Sequence, residues 1–157
     1  MRLRNLILLA LLLAGPVLGC GDGGGGTAPP PPSDIGGTWT FSTSNLHATV
    51  NGILISCKSS GTILNLVQAG GNFDGTYSGG TATCTAQGQT ITEPFGSGSI
   101  VNGTYANGHV EFDMDVAEFH FVGSAAGTTM SGTCTLDVDL GSPIGMVQMT
   151  GNWRASR

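Results

Sequence analysis

Glycine and asparagine turns at short intervals limit what residues 34–157 can fold into. Between them lie short alternating segments rich in Thr, Val, Ile, Phe and Tyr, and no long stretch keeps an apolar period of 3.6 residues. That is the pattern of strands joined by hairpins. Gly70-Gly71 predicts a turn that sets Ala69 opposite Asn72, Leu64 opposite Tyr77 and Gln68 opposite Phe73. Asn107-Gly108, the strongest two-residue hairpin signal, sets Tyr105 opposite Val110, Gly103 opposite Phe112 and Val101 opposite Met114. Ala126-Gly127 sets Gly123 opposite Met130, Phe121 opposite Gly132 and Phe119 opposite Cys134. In each pairing the apolar residues of both strands fall on one face, as a half-buried sheet requires.

A second regularity is a glycine two residues before a bulky or soft side chain. It occurs in Gly37-Thr38-Trp39, Gly75-Thr76-Tyr77, Gly103-Thr104-Tyr105, Gly132-Thr133-Cys134 and Gly151-Asn152-Trp153. Residues two apart on a strand share a face, so these glycines point inward, where they permit tight coiling and make room for a neighbour's ring. Many strands curving within a narrow radius form a small closed barrel. The expected fold is all-β: a small antiparallel up-and-down barrel of eight or nine strands over residues 34–157. A β-sandwich shows the same alternation and is the alternative.

Gly37-Thr38-Trp39 near the first strand's start, with Trp153, Arg154 and Arg157 closing the last, resembles the calycin group of lipocalins, avidins and their relatives. The resemblance implies that Trp39 packs beneath an arginine from the barrel's end, Arg154 or Arg157. It also implies an interior able to hold a small apolar ligand. The other lipocalin motifs and the usual C-terminal helix are not visible, and two tryptophans do not make the biotin pocket of avidins.

Upstream, Arg2 and Arg4 precede an apolar run over residues 6–18, thirteen residues long and interrupted by Pro16. That is short of the roughly 20 needed to span a bilayer, and the charged start, apolar core and small residues at the cut are the parts of a secretory signal peptide. Val17-Leu18-Gly19-Cys20 resembles a bacterial lipobox, with Leu18 bulkier than usual. The resemblance implies cleavage of residues 1–19 and two or three acyl chains on Cys20, enough for stable anchoring. Gly21 after the cysteine favours the outer membrane over the inner one by the sorting rule of some diderm bacteria. Residues 20–33 are the lipidated cysteine and a Gly-rich, then Pro-rich linker with nothing to bury. It reaches at most about 45 Å.

The chain after residue 19 keeps three Lys/Arg (Lys58, Arg154, Arg157) against ten Asp/Glu, a net charge of −7 with histidines neutral. Such a surface repels phosphate backbones, so no nucleic acid is expected as a partner. The partners expected are the membrane, through the lipid, and a small apolar ligand or an envelope protein.

With Cys20 lipidated, three cysteines remain in an oxidising setting. Extending the Gly70-Gly71 register brings Cys57 opposite Cys84, which predicts a disulfide between them and leaves Cys134 as a buried thiol. The closed loop stabilises by roughly 3 kcal/mol in the chain-entropy model.

The residues expected to line a cavity or fill a core are Trp39, Tyr77, Tyr105, Phe112, Phe119, Phe121, Met130 and Trp153, joined by Met114 and Met149. No nucleophile elbow, P-loop or HExxH is present, and His47, His109 and His120 are scattered, so no catalytic residues are assigned and no cofactor is expected. Glu111, Asp113 and Asp115 share one outward strand face, as do Asp137 and Asp139. They read as a solubilising charged surface, and a calcium patch is the alternative. Function divides between two expectations. One is a binding module for a small apolar ligand; the other is a structural or inhibitory lipoprotein with a filled barrel, using loops such as residues 87–98 or 142–146.

Overall fold

The computed structural model describes residues 30–115, 118–139 and 145–157; the lipobox, Cys20 and most of the linker lie outside them. The described chain holds no helix and ten strands: β1 (Gly37–Val50), β2 (Ile53–Ala69), β3 (Asn72–Ser78), β4 (Thr81–Ala86), β5 (Gln89–Pro94), β6 (Ser97–Ala106), β7 (His109–Met114), β8 (Glu118–Ala126), β9 (Thr129–Asp139) and β10 (Met146–Ser156). All pair antiparallel in the order β1-β10-β9-β8-β7-β6-β3-β2-β4-β5, and a further β1–β2 pairing closes eight of them into a ring. The remaining two, β4 and β5, form a flap on the free length of β2 beyond β3.

The Gly70-Gly71 register holds over the whole length of β2. Ala69 faces Asn72, Leu64 faces Tyr77, and Cys57 still faces Cys84. Between the two halves, Gly61 (φ 74°) and Gly79-Gly80 (φ 71° and 78°) bend both strands together without a slip. A Cβ on Gly80 would lie 2.5 Å from the Thr62 hydroxyl and 2.7 Å from the Ser60 carbonyl oxygen, so the bend admits no side chain there.

Two register expectations need correction. Asn107-Gly108 does pair Tyr105 with Val110, but Val101 faces Asp113 and Ile100 faces Met114. The cause is a bulge at Asn102, which takes a left-handed φ of 55° and donates its side-chain N–H to Asp113 at 2.8 Å. Gly103 is thereby released from Phe112 and pairs across β3 with Phe73, whose ring occupies the space a Cβ would need. The third turn sits one residue later than expected, on Gly127-Thr128, so Gly123 faces Gly132, Phe121 faces Cys134 and Phe119 faces Leu136. The pairing has moved by two residues, an even number, and the inward face is therefore unchanged.

The inside of the ring is filled. Trp39, Phe41, Leu64, Ile100, Val110, Phe112, Phe121, Met130 and Trp153 are buried, and the rings of Phe41, Phe112, Phe121 and Trp153 touch in series. Phe112 stacks on Phe121 at 4.7 Å between centroids, and Phe41 meets Phe121 edge-on at 5.4 Å. Both indoles are satisfied: Trp39 Nε1 donates to the Ile35 carbonyl at 2.8 Å and Trp153 Nε1 to that of Val122 at 3.1 Å.

One end of the ring is sealed by the incoming chain. Tyr105 donates its hydroxyl to the Pro32 carbonyl, Gly127 N–H donates to Pro30 at 3.3 Å, and Ile35 N–H donates to Gln68 at 2.8 Å. Arg157 lies over the Trp39 ring, 4.4 Å from its centroid, and donates to the carbonyls of Gly36 and Asp34. Of the two arginines considered from the sequence, Arg157 is the one that covers Trp39.

Candidate functional site

The opposite end holds an apolar cup of about 320 Å³. Three rows of directly paired residues build it. Leu46, Cys57 and Cys84 run across β1, β2 and β4. Phe119, Leu136 and Met149 run across β8, β9 and β10. Deeper, Thr43 on β1 faces Ser59 on β2, which faces Ala82 on β4. Val138 and Phe95 complete the lining. Phe95 ties the cup to the core through ring contacts with Phe41, Tyr77 and Phe119 at 5.9–6.4 Å.

The Cys57–Cys84 disulfide (Cα–Cα 4.1 Å) forms part of one wall and fastens the flap to the ring's longest strand. Lys58 borders the cup, but it alternates with Cys57 and Ser59, so its side chain projects to the outer face with Ser56 and Ser60.

Two local irregularities place the lining. In β1 the inward phase runs through Trp39, Phe41 and Thr43, then shifts to Leu46 and Ala48, because a bulge at Asn45 (φ 52°) adds a residue. In β2 the phase shifts at Gly61, so Ser59 and Thr62 both face in. Of the residues expected around a cavity, Phe119 and Met149 line the cup. Trp39, Tyr77, Tyr105, Phe112, Phe121, Met130, Met114 and Trp153 fill the interior instead. Sequence reasoning missed Thr43, Leu46, Ser59, Phe95, Leu136 and Val138. The loop expected over residues 87–98 is largely β5, paired with β4 through Thr83–Thr92 and Thr85–Thr90 hydroxyl contacts of 3.0 Å. The other loop falls partly outside the described residues.

Beside the cup, Asp113, Asp115, Glu118, His120 and Asp137 surround an acidic depression on the outer face of β7–β9. His120 Nδ1 lies 2.7 Å from Asp113, and Glu111 lies 3.6–3.7 Å from His120 and His109. Partial burial of Asp113 opposes its ionisation. Hydrogen bonds from Asn102 and His120, with the charge on His120, outweigh that and hold the carboxyl below the ordinary carboxylate range. Among the described residues, no group of three or more His, Cys, Asp or Glu is placed to hold a metal ion.

Cys134 is a buried free thiol, and burial pushes its pKa up to about 11. Its folded-state value is raised above the ordinary 9.0, so its contribution to stability is whole below about pH 9 and is lost as pH rises towards 11. Native protein at about pH 8 is expected to resist iodoacetamide, and protein unfolded in guanidinium to take up one equivalent per domain at Cys134. Labelling of the native form within minutes, read by intact mass, contradicts that burial.

No protein-family model, no curated protein and no solved structure matches this chain.

Proposed function

We propose that this domain is a binding module that holds a small apolar ligand in the cup at the open end of its ring. We propose further that it is carried on an exported lipoprotein anchored to the bacterial cell envelope through Cys20, with the outer membrane favoured. The supporting observation is the cup itself, walled by Leu46, Phe95, Phe119, Leu136, Val138, Met149 and a disulfide. Water held against such walls has few polar partners, so an apolar occupant gains by displacing it.

The test uses N-phenylnaphthylamine, a neutral dye that brightens in apolar surroundings. Saturable binding at one dye per domain is expected. Ala82→Phe with Val138→Phe, which fills the cup, should abolish it while the far-UV spectrum and cooperative unfolding persist. Absent binding, or binding that survives the filled cup, overturns the proposal.

The packed ring supports a second reading, a protein-interaction lipoprotein. The feature that favours it is β5, an edge strand with Ile91 65% exposed. Free edges recruit other strands, and crosslinking from a residue on β5 in intact cells that recovers no partner counts against this reading.

A further inference from the structure

The cup contains one polar feature, and its hydrogen-bond count leaves a donor over. Thr43 and Ser59 are 4% and 5% exposed, yet both line the cup. The Ser59 hydroxyl oxygen accepts the Thr43 backbone N–H at 3.1 Å, and the two hydroxyl oxygens lie 2.9 Å apart, sharing one hydrogen bond. Two hydroxyls carry two protons, and the bond between them uses one. Whichever hydroxyl donates, the other's O–H has no acceptor among the described residues.

A buried donor without an acceptor carries a desolvation penalty that a ligand bearing an acceptor relieves. Charge narrows the ligand further. Lys58 borders the cup but alternates to the outer face, while Asp115, Glu118 and Asp137 stand around the neighbouring depression, so a carboxylate deep in the cup would have its one bordering cation on the outer face and like charge nearby.

We infer that the cup selects uncharged molecules with an apolar body and a single hydrogen-bond acceptor, such as a ketone or ester carbonyl, placed against the Thr43–Ser59 hydroxyl pair. This rests on the cup being a ligand site, as proposed above. The count makes a specific demand: Thr43→Val alone leaves the Ser59 proton, and Ser59→Ala alone leaves the Thr43 proton. Each single variant therefore keeps one donor, and only the double variant removes it.

The experiment displaces N-phenylnaphthylamine from the folded domain with three ligands of similar size: butyrophenone, butylbenzene and phenylbutyrate. Butyrophenone is expected to compete about five- to tenfold better than butylbenzene, the yield of one net hydrogen bond, with phenylbutyrate weakest. Each single variant should retain that preference. The double variant, with its own dye affinity measured first to set the scale, should compete equally with ketone and hydrocarbon. Thermal unfolding of each variant verifies that it is folded. Dye binding with no ketone preference, or a preference that survives the double variant, overturns the inference and leaves the binding module standing. Absent dye binding overturns both.

Discussion

Trp153→Ala is expected to cost about 3–5 kcal/mol of folding stability, measured by urea unfolding of the domain. The indole is 2% exposed and touches Phe41, Phe112 and Phe121 at centroid distances of 5.5–6.2 Å. What raises the cost is the ground it stands on. Trp153 pairs with Gly132, and a Cβ on Gly123 would lie 2.8 Å from its ring. Gly123 and Gly132 face each other, so the wall behind the indole has no side chains to collapse into the vacated space. The Val122 carbonyl also loses its indole partner. A domain of this size has only about 5–15 kcal/mol in total. Trp153→Phe keeps the ring contact and should lose less than half as much. A loss below about 1 kcal/mol for the alanine variant would contradict the packing described for the ring.

Gly132→Ala tests the other side of the same contact. An added Cβ would lie 2.0 Å from the Val122 carbonyl oxygen and 2.5 Å from the Gly123 Cα, all of it backbone. No rotamer change relieves that; β8 and β9 must part. The expected loss is about 3 kcal/mol or more, the upper range for overpacking, read as a fall in Tm of roughly 10 °C. Gly52→Ala is the informative control. Its φ is 79°, but a Cβ there meets nothing within 4 Å, so only the left-handed strain of about 1–2 kcal/mol applies. If Gly132→Ala loses no more stability than Gly52→Ala, the close approach of β8 and β9 at Gly132 is not what excludes a side chain there.

The sequence was most legible where turn chemistry and alternation agreed. Gly70-Gly71 set a register that reached Cys57 and Cys84, and the disulfide followed from it. Legibility failed at single left-handed residues inside strands. Asn45, Gly61 and Asn102 each shift the inward phase, and none differs in composition from an ordinary strand residue or a turn. Fold class survives such shifts because each strand remains a strand. The cup did not, because Thr43, Leu46 and Ser59 sit beside the shifts at Asn45 and Gly61 and show which way they face only once the bulges are placed. Phe95 follows Pro94 in the connection between β5 and β6, where no period exists to say that a ring turns inward. Leu136 and Val138 became opaque for a different reason: a turn placed one residue early leaves both beyond the last pairing considered.

The chain enters its domain at the sealed end, where Pro30 and Pro32 accept hydrogen bonds from Gly127 and Tyr105. The strand ends that carry the cup lie a full strand length away, on the far side of a packed aromatic interior. The molecule therefore has a heel and a mouth. The chain joins the domain at the heel, through Pro30 and Pro32, and the cup opens at the mouth, with the whole aromatic interior between the two.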